Sequence, residues 1–122
     1  MDVTAKPAHA DCRAVSEILS RVGDKWTIQV VVALRLGSQR FNGIKRHVGG
    51  ISQQMLTRTL KTLERDGMVE RAVHPSTPPQ VEYTLTPLGH SLAETAHQLA
   101  QWAAAHRVEI EDNRLLYDAR LS

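Results

Sequence analysis

The sequence predicts a mainly α-helical domain that carries a small β-hairpin. Apolar residues recur at helical spacing in several segments, and Gly residues separate these segments. Two of the segments are joined by the turn Gly49-Gly50-Ile51, which is typical of a helix-turn-helix. Two β-rich segments flank a proline-rich stretch, which predicts the hairpin. The chain has 122 residues, the length of one domain, and we expect residues 1–122 to form a single one.

The first third of the chain predicts two helices. Residues 1–11 contain no hydrophobic signal core, and we expect them to form a flexible arm. Residues 12–19 have the apolar spacing of a short amphipathic helix. Asp24 is placed to cap a second helix over residues 25–36, which Gly37 ends. This second helix is apolar on almost every side, so we expect it to be the central buried helix.

The middle of the chain predicts the helix-turn-helix pair. A brief extended link at residues 40–41 precedes a short helix over residues 43–48. After the glycine turn, Ser52 is a favourable N-cap for a helix that we expect to run to Asp66, and Gly67 is a favourable terminator.

The hairpin and a long helix complete the prediction. Residues 68–72 and 80–85 are β-rich, and the intervening loop contains too many prolines for a strand or a helix. Thr86 caps the last helix, with Pro87 at the favoured first position. We expect that helix to end near residue 110, and the remaining residues, 111–122, to form a frayed tail or a separate short helix. Residues 12–87 then hold the helices and hairpin, and residues 88–110 the long helix.

Charge is distributed unevenly along the chain. The net charge is only +2, but residues 38–75 carry seven Lys and Arg against three acids, whereas residues 89–122 carry three against five. A basic centre beside an acidic tail is expected of a module that presents one face to a polyanion. A solvated helix face is the alternative on charge alone. The chain contains only five aromatic residues, too few for a platform that stacks single-stranded bases.

The helix after the glycine turn has two contrasting faces. At about 100° per residue, Leu56, Leu60 and Leu63 form one apolar stripe. The opposite face contains no acid and consists of Gln54, Thr57, Arg58, Lys61 and Arg65. Gln and Arg are the side chains whose paired groups match adenine and guanine edges in a major groove, so the pattern favours duplex DNA over an ordinary surface helix. The hairpin loop after this helix, with His74 and Arg71 as candidates, would reach flanking phosphates or the minor groove; an inert turn is the alternative.

Several short motifs along the chain form a recognisable combination. They are Cys12 fourteen residues before Trp26, Gly-Asp-Lys-Trp-Thr at 23–27, Arg-Phe-Asn-Gly-Ile at 40–44, Gly-Ile-Ser-Gln-Gln-Met-Leu-Thr at 50–57, the stretches 60–71 and 78–89, and Leu99 with Trp102. Over about residues 12–103 these motifs resemble the HxlR-type winged-helix transcriptional regulators. The sequence departs from that pattern at Arg13, which follows Cys12 where many relatives have proline. The resemblance implies a homodimeric bacterial regulator with a winged helix-turn-helix, an N-terminal helix and a long C-terminal dimerisation helix.

The resemblance also implies roles for individual residues. In several HxlR-like regulators the cysteine at the position of Cys12 senses oxidants or electrophiles, and a helix start beside Arg13 permits that chemistry. The alternative is a thiol packed at a dimer contact. The helical geometry places Gln53 nearer the core than the groove. The implied DNA contacts are Arg40, Lys45, Gln53, Gln54, Thr57, Arg58, Lys61, His74, Ser76 and Thr77.

The apolar stripe of the last helix predicts a two-fold homodimer, because a hairpin and three short helices cannot cover it fully. Part of the first helix is expected to join that interface. The expected dimer residues are Val15, Leu19, Leu92, Ala96, Leu99, Trp102 and Ala103.

Other functions have weaker support in the sequence. No phosphate loop, nucleophile elbow or HExxH motif is present, so we expect neither an enzyme nor a cofactor. The lone cysteine excludes an intrachain disulfide and a Cys-rich zinc site. His90, Glu94 and His97 fall on one helix face and could in principle hold a divalent metal, but a solvated surface is the preferred interpretation. With no apolar run of about 20 residues, we expect a cytoplasmic, nucleoid-associated protein. The alternatives are a MarR-like regulator that responds to a small molecule and a protein-interaction module that binds no DNA.

Overall fold

A computed structural model describes residues 9–121. It confirms a mainly helical fold with a small antiparallel sheet and a long last helix. In chain order the elements are α1 His9–Val22, α2 Lys25–Leu34, β1 Gln39–Arg40, α3 Phe41–Val48, α4 Gln53–Arg65, β2 Val69–His74, β3 Gln80–Leu85 and α5 Pro87–Leu121.

Local capping chemistry defines the helix starts where the sequence predicted them. The Asp24 carboxylate accepts hydrogen bonds from the backbone N–H groups of Trp26 and Thr27, at 3.0 and 3.2 Å. The Ser52 hydroxyl accepts one from the N–H of Met55 at 3.0 Å. Each cap satisfies donors that the first turn of a helix leaves without an intrahelical partner. The predicted starts of α2 and α4 are therefore confirmed.

The sheet has three strands, one more than the predicted hairpin. Its order is β1-β3-β2, and both pairings are antiparallel. β1 shares only Arg40 with the extended link predicted at residues 40–41, because Phe41 begins α3. It pairs Gln39 with Tyr83 and Arg40 with Glu82. The Gln39 side-chain amide also donates to the Ala33 carbonyl, which joins the strand to the end of α2. A two-residue strand has no alternating pattern of its own, so only the folded chain shows this pairing.

The core forms around α2, as predicted. Val30, Val31 and Leu34 of α2 are at most 1% exposed, and α2 packs against α3, α4 and α5. Thr59 is buried with its hydroxyl donating to the Met55 carbonyl at 2.8 Å, so its polar atom is satisfied. The other buried apolar side chains are Ile44, Ile51, Leu56, Leu60, Leu63, Val69, Leu85, Ala93 and Ala96.

Helix ends differ from the prediction at several positions. α1 ends at Val22 instead of residue 19, and α3 begins at Phe41 instead of residue 43. α1 begins at His9, inside the predicted arm, and residues 1–8 of that arm lie outside the described residues. α2 ends at Leu34, so Leu36 lies beyond it and is 89% exposed. The predicted end of the last helix near residue 110 is wrong: α5 is one helix of 35 residues. No Gly or Pro follows Gly89, so nothing in the sequence interrupts the helix. None of the helices within residues 9–121 is long and apolar enough to cross a membrane.

A close backbone approach attaches α5 to the end of α4. The Thr86 hydroxyl donates to the Gly67 carbonyl at 2.6 Å and accepts from the Gly89 N–H at 3.1 Å, while the Thr86 N–H donates to the Met68 carbonyl at 3.0 Å. Gly89 lies directly against that Met68 carbonyl, and a side chain on Gly89 would overlap its oxygen. Position 89 therefore requires glycine for space.

We expect Gly89→Ala to lower the free energy of unfolding by about 1–3 kcal/mol, because the added methyl group meets backbone atoms that cannot move independently. Gly43→Ala is the matched control: its Cβ would lie 3.4 Å from Oε1 of Gln39, which is an ordinary van der Waals contact. In the interior of α3 it should be neutral or stabilising by about 0.5–1 kcal/mol. Urea unfolding of both variants measures the difference, and equal effects would contradict this account of the junction.

Candidate nucleic-acid interface

Buried side chains of α3 and α4 hold the helix-turn-helix against the core. Ile44 of α3 is fully buried, and Leu56, Leu60 and Leu63 of α4 are at most 2% exposed. Because one face of α4 is committed to the core, its opposite face must point outward. The geometry of the predicted recognition helix is thus fixed by three leucines.

The outward face of α4 presents amide and cationic groups. Gln54, Arg58 and Lys61 are exposed. Gln53, which the helical geometry placed nearer the core, is exposed as well. Thr57 is half-buried, and its hydroxyl donates to the Gln53 carbonyl at 2.8 Å. Gln53 is consequently more accessible than the sequence suggested, and Thr57 is less so.

Further cations lie on and around α3. Arg40 and Lys45 are exposed, and so is Arg46, which the sequence analysis did not select. Arg40 and Arg46 line a cleft of about 570 Å³ between the start of α3 and the start of β3. The sequence feature that could have identified Arg46 as a candidate is its position directly after Lys45, in the last turn of a short helix.

The wing formed by β2 and β3 carries the remaining candidates, all exposed. Nε2 of His74 lies 3.5 Å from the Glu82 carboxylate on the neighbouring strand. The Ser76 hydroxyl donates to the Pro78 carbonyl at 2.6 Å. Contacts within the wing therefore engage His74 and Ser76, while Thr77 lies at the tip of the loop between the strands.

Arg71 of β2 connects the wing to α4. Together with Thr57, Lys61 and Tyr83 it lines a cleft of about 370 Å³ between the helix and the sheet. One acid, Glu64, also lines this cleft. The basic surface therefore extends from α4 onto the wing.

Three arginines outside this surface are paired with acids. Arg21, Arg35 and Arg107 each form a salt bridge with an Asp or Glu, at 3.5, 2.8 and 3.2 Å. In the part of the chain that the structure describes, no salt bridge involves any of the basic side chains of α3 and α4, which are Lys45, Arg46, Arg58, Lys61 and Arg65. Their charge is available to an external anion.

Glu94 of α5, which shares a helix face with His90 and His97, forms an ion pair with Arg35. Glu94 accepts hydrogen bonds from Arg35 of α2 at 2.8 and 3.4 Å. The Arg35 guanidinium holds the pKa of the Glu94 carboxyl below its usual value. Between His9 and Leu121 no three His, Cys, Asp or Glu side chains are grouped to hold a metal ion.

The predicted dimer residues divide into exposed and buried ones. Val15 and Leu19 of α1 are 52% and 61% exposed, and Leu99 and Trp102 of α5 are 52% and 54% exposed. Ala103 is exposed too.

Two of the predicted dimer residues are less exposed than the others. Ala96 is 3% exposed and Leu92 is half-buried against the same core. The domain itself covers this part of α5, which leaves Ala96 no surface for a partner.

Cys12 lies in the first turn of α1 and is exposed. Each residue from 11 to 20 is likewise exposed, so α1 lies on the domain rather than within it.

Comparison with known proteins shows the family. The model of the HxlR-like helix-turn-helix family matches residues 21–111. The HTH-type transcriptional regulator YtfH of Escherichia coli (strain K12) is 42% identical over 94 residues, which are 77% of this chain and 75% of that protein.

Two solved structures agree with this result. The transcriptional regulator ytfH from Salmonella typhimurium has a TM-score of 0.77 at 34% identity, covering 93% of this chain and 96% of that one. The redox regulator HypR in its reduced form has a TM-score of 0.73 at 36% identity, covering 81% and 98%. The chain therefore belongs to the HxlR-like helix-turn-helix family of transcriptional regulators.

Proposed function

We propose that the protein binds specific duplex DNA by inserting α4 into the major groove, and thereby regulates transcription in the bacterial cytoplasm. One observation carries this proposal. The outward face of α4 combines amides with cations that form no salt bridge among the described residues, while three leucines lock its other face into the core. A polyanion that offers base edges is the partner that uses both groups.

The interface divides into base-reading and phosphate-binding parts. Gln54 and Arg58 are exposed in the first half of α4 and are assigned to base edges, with Gln53, Thr57 and Lys61 beside them. The phosphate contacts come from the exposed cations outside α4 and from the wing. These residues are Arg40, Lys45, His74, Ser76 and Thr77.

A homodimer is part of the proposal. Both α1 and the middle of α5 expose large apolar side chains, including Val15, Leu19, Leu99 and Trp102. Exposed apolar groups at helical spacing are best buried against a second copy, and a two-fold dimer presents two copies of α4 to two half-sites.

Redox control through Cys12 is the second candidate function. It is supported by the exposure of Cys12 and by the similarity to HypR, which is named a redox regulator. With one cysteine in the chain, hypochlorite would convert two thiols of a dimer into an intersubunit disulfide, the two hydrogens leaving as water and HCl. Hypochlorite together with a small thiol would give a mixed disulfide, with water and HCl as the other products, and a quinone would give an alkyl adduct by addition of the thiol to its ring. Any of them would alter α1, which belongs to the proposed dimer contact.

Base reading and phosphate binding are separable by mutation. On an operator selected by this protein from random duplex, Arg58→Ala should cost about 1–3 kcal/mol, with little loss on unrelated duplex. Lys45→Ala should weaken binding to both DNAs and reduce the salt slope by about one. Titrations at several salt concentrations measure both effects. Equal losses on the two DNAs for Arg58→Ala would make it a phosphate contact.

We expect a charge placed in the proposed dimer contact to dissociate the dimer, and a charge placed elsewhere to leave it intact. Leu99→Glu should dissociate the dimer, because it places a carboxylate in the buried contact. Val73→Glu on the wing is the control, since Val73 is 54% exposed and Leu99 is 52% exposed. Light scattering at micromolar concentration gives the mass. A monomeric wild-type protein would refute the homodimer.

Oxidation should weaken operator binding by the wild type but not by Cys12→Ser. The measurement compares the affinities of the two proteins after treatment with hypochlorite, and again after a reducing agent. We expect the wild type to lose binding and to recover it on reduction, because reduction restores the thiol. Identical responses of the two proteins would leave Cys12 as a packing residue.

A further inference from the structure

A cleft of about 330 Å³ lies where α2, the end of α3 and the middle of α5 meet. Its apolar walls include Ile28 and Val32 of α2 and Val48 of α3, which pack against the core. Leu36, just beyond α2, also lines it and is 89% exposed, the highest value of any large apolar side chain in the part of the chain that the structure describes. A concave, mainly apolar cleft of this volume is typical of a site for a small molecule.

Four polar side chains interrupt the apolar lining, and none of the described residues of α4 takes part in it. The four are Gln29, Arg35, His47 and His97. Arg35 carries the permanent charge, and its guanidinium donates to the Glu94 carboxylate at 2.8 and 3.4 Å. Because Glu94 compensates that charge, an anionic ligand would have to compete with it for Arg35. The cleft therefore favours a neutral ligand.

Hydrogen bonds fix which nitrogen of His47 carries a hydrogen. The side-chain NH₂ of Gln39 donates to the Ala33 carbonyl, so Oε1 of the same amide can only accept. This Oε1 lies 3.3 Å from Nδ1 of His47, so Nδ1 is the donor. In a neutral imidazole with its hydrogen on Nδ1, Nε2 has a lone pair and accepts.

Nε2 of His47 is available to a ligand. No hydrogen bond or salt bridge within residues 9–121 engages it. The apolar walls suit a flat hydrocarbon ring, and one acceptor requires one donor on that ring. A phenol combines the two, since it is neutral near pH 7 and its hydroxyl donates a hydrogen bond.

We infer that this cleft binds a neutral one-ring molecule that carries a hydroxyl group, with the hydroxyl donating to Nε2 of His47. The inference goes beyond the proposed function, because it concerns the protein without DNA and uses no side chain of α4. A molecule in the cleft contacts α2, α3 and α5 together, so it links the helix-turn-helix to the long helix.

Phenol and anisole are matched probes of this site. Anisole has the same ring but a methyl group in place of the hydroxyl hydrogen, so it cannot donate. In NMR titrations of the full-length protein at pH 8, where phenol and an ordinary imidazole are both neutral, phenol should bind with a dissociation constant of about 0.1–1 mM. Anisole and benzoate should bind about threefold more weakly or worse.

The same titrations locate the site. We expect the shifted amide signals to concentrate in residues 28–36, 47–48 and 97–100. No phenol binding, or signals that shift mainly elsewhere, overturns the inference. Benzoate that binds as tightly as phenol overturns the neutral class of ligand.

Two histidine variants test the acceptor. His47→Phe keeps an aromatic ring without an acceptor, so phenol should lose its advantage over anisole. His97→Phe is the matched control, because His97 lines the same cleft but no hydrogen bond among the described residues fixes its ring. The advantage should survive there. Its survival in His47→Phe overturns the assignment to His47, and circular dichroism checks that both variants are folded.

Sedimentation equilibrium distinguishes a small ligand from a second copy of the chain as the occupant. The mass of the wild type should not change at saturating phenol. Leu36→Ser should keep the wild-type mass but weaken phenol binding about threefold or more, because it removes apolar contact. A change of mass in either case would assign this face to a subunit contact and overturn the ligand site. Since no DNA is present, failure of these tests leaves the proposed DNA binding untouched.

Discussion

The contact between Gly89 and the Met68 carbonyl determines how α5 is positioned relative to α4. It brings the first turn of α5 against the segment that follows α4, and the Thr86 hydroxyl bonds both sides of the contact. Ala93 then reaches the core formed by α2 and α4. The helix whose polar face points outward and the helix that extends from the domain are therefore held as one unit.

Two of the salt bridges join different elements of this unit. Arg35 bonds Glu94 and so ties α2 to α5, and Arg21 pairs with Asp66 at the end of α4. These pairs are exposed and individually weak, but they use cations for internal contacts. Arg58 and Lys61 make no such pair among residues 9–121. Both lie on α4, whose opposite face is buried in the core.

Features with a local cause could be predicted from the sequence, and features with a distant cause could not. Asp24 and Ser52 cap their helices through donors two or three residues away, so the starts of α2 and α4 were predictable. β1 depends on pairing with β3 some 40 residues later, and two residues carry no periodic signal. The burial of Ala96 depends on which part of α5 the domain covers. Of the candidate interface, the exposure of Gln54, Arg58 and Lys61 followed from helical geometry, whereas the exposure of Gln53 did not. Arg46 needed the folded cleft.

Because α5 is one unbroken helix, a small rotation at its first turn produces a large displacement at its last turn. From Gly89 to Leu121 the helix extends about 48 Å at about 1.5 Å per residue. A rotation of about 5° at the Gly89 contact moves the far end by about 4 Å, since the displacement grows with distance from the pivot. Conversely, a restraint at the far end fixes the orientation of the domain to within a few degrees. A small change of angle at the Gly89 contact is therefore amplified along the whole of α5.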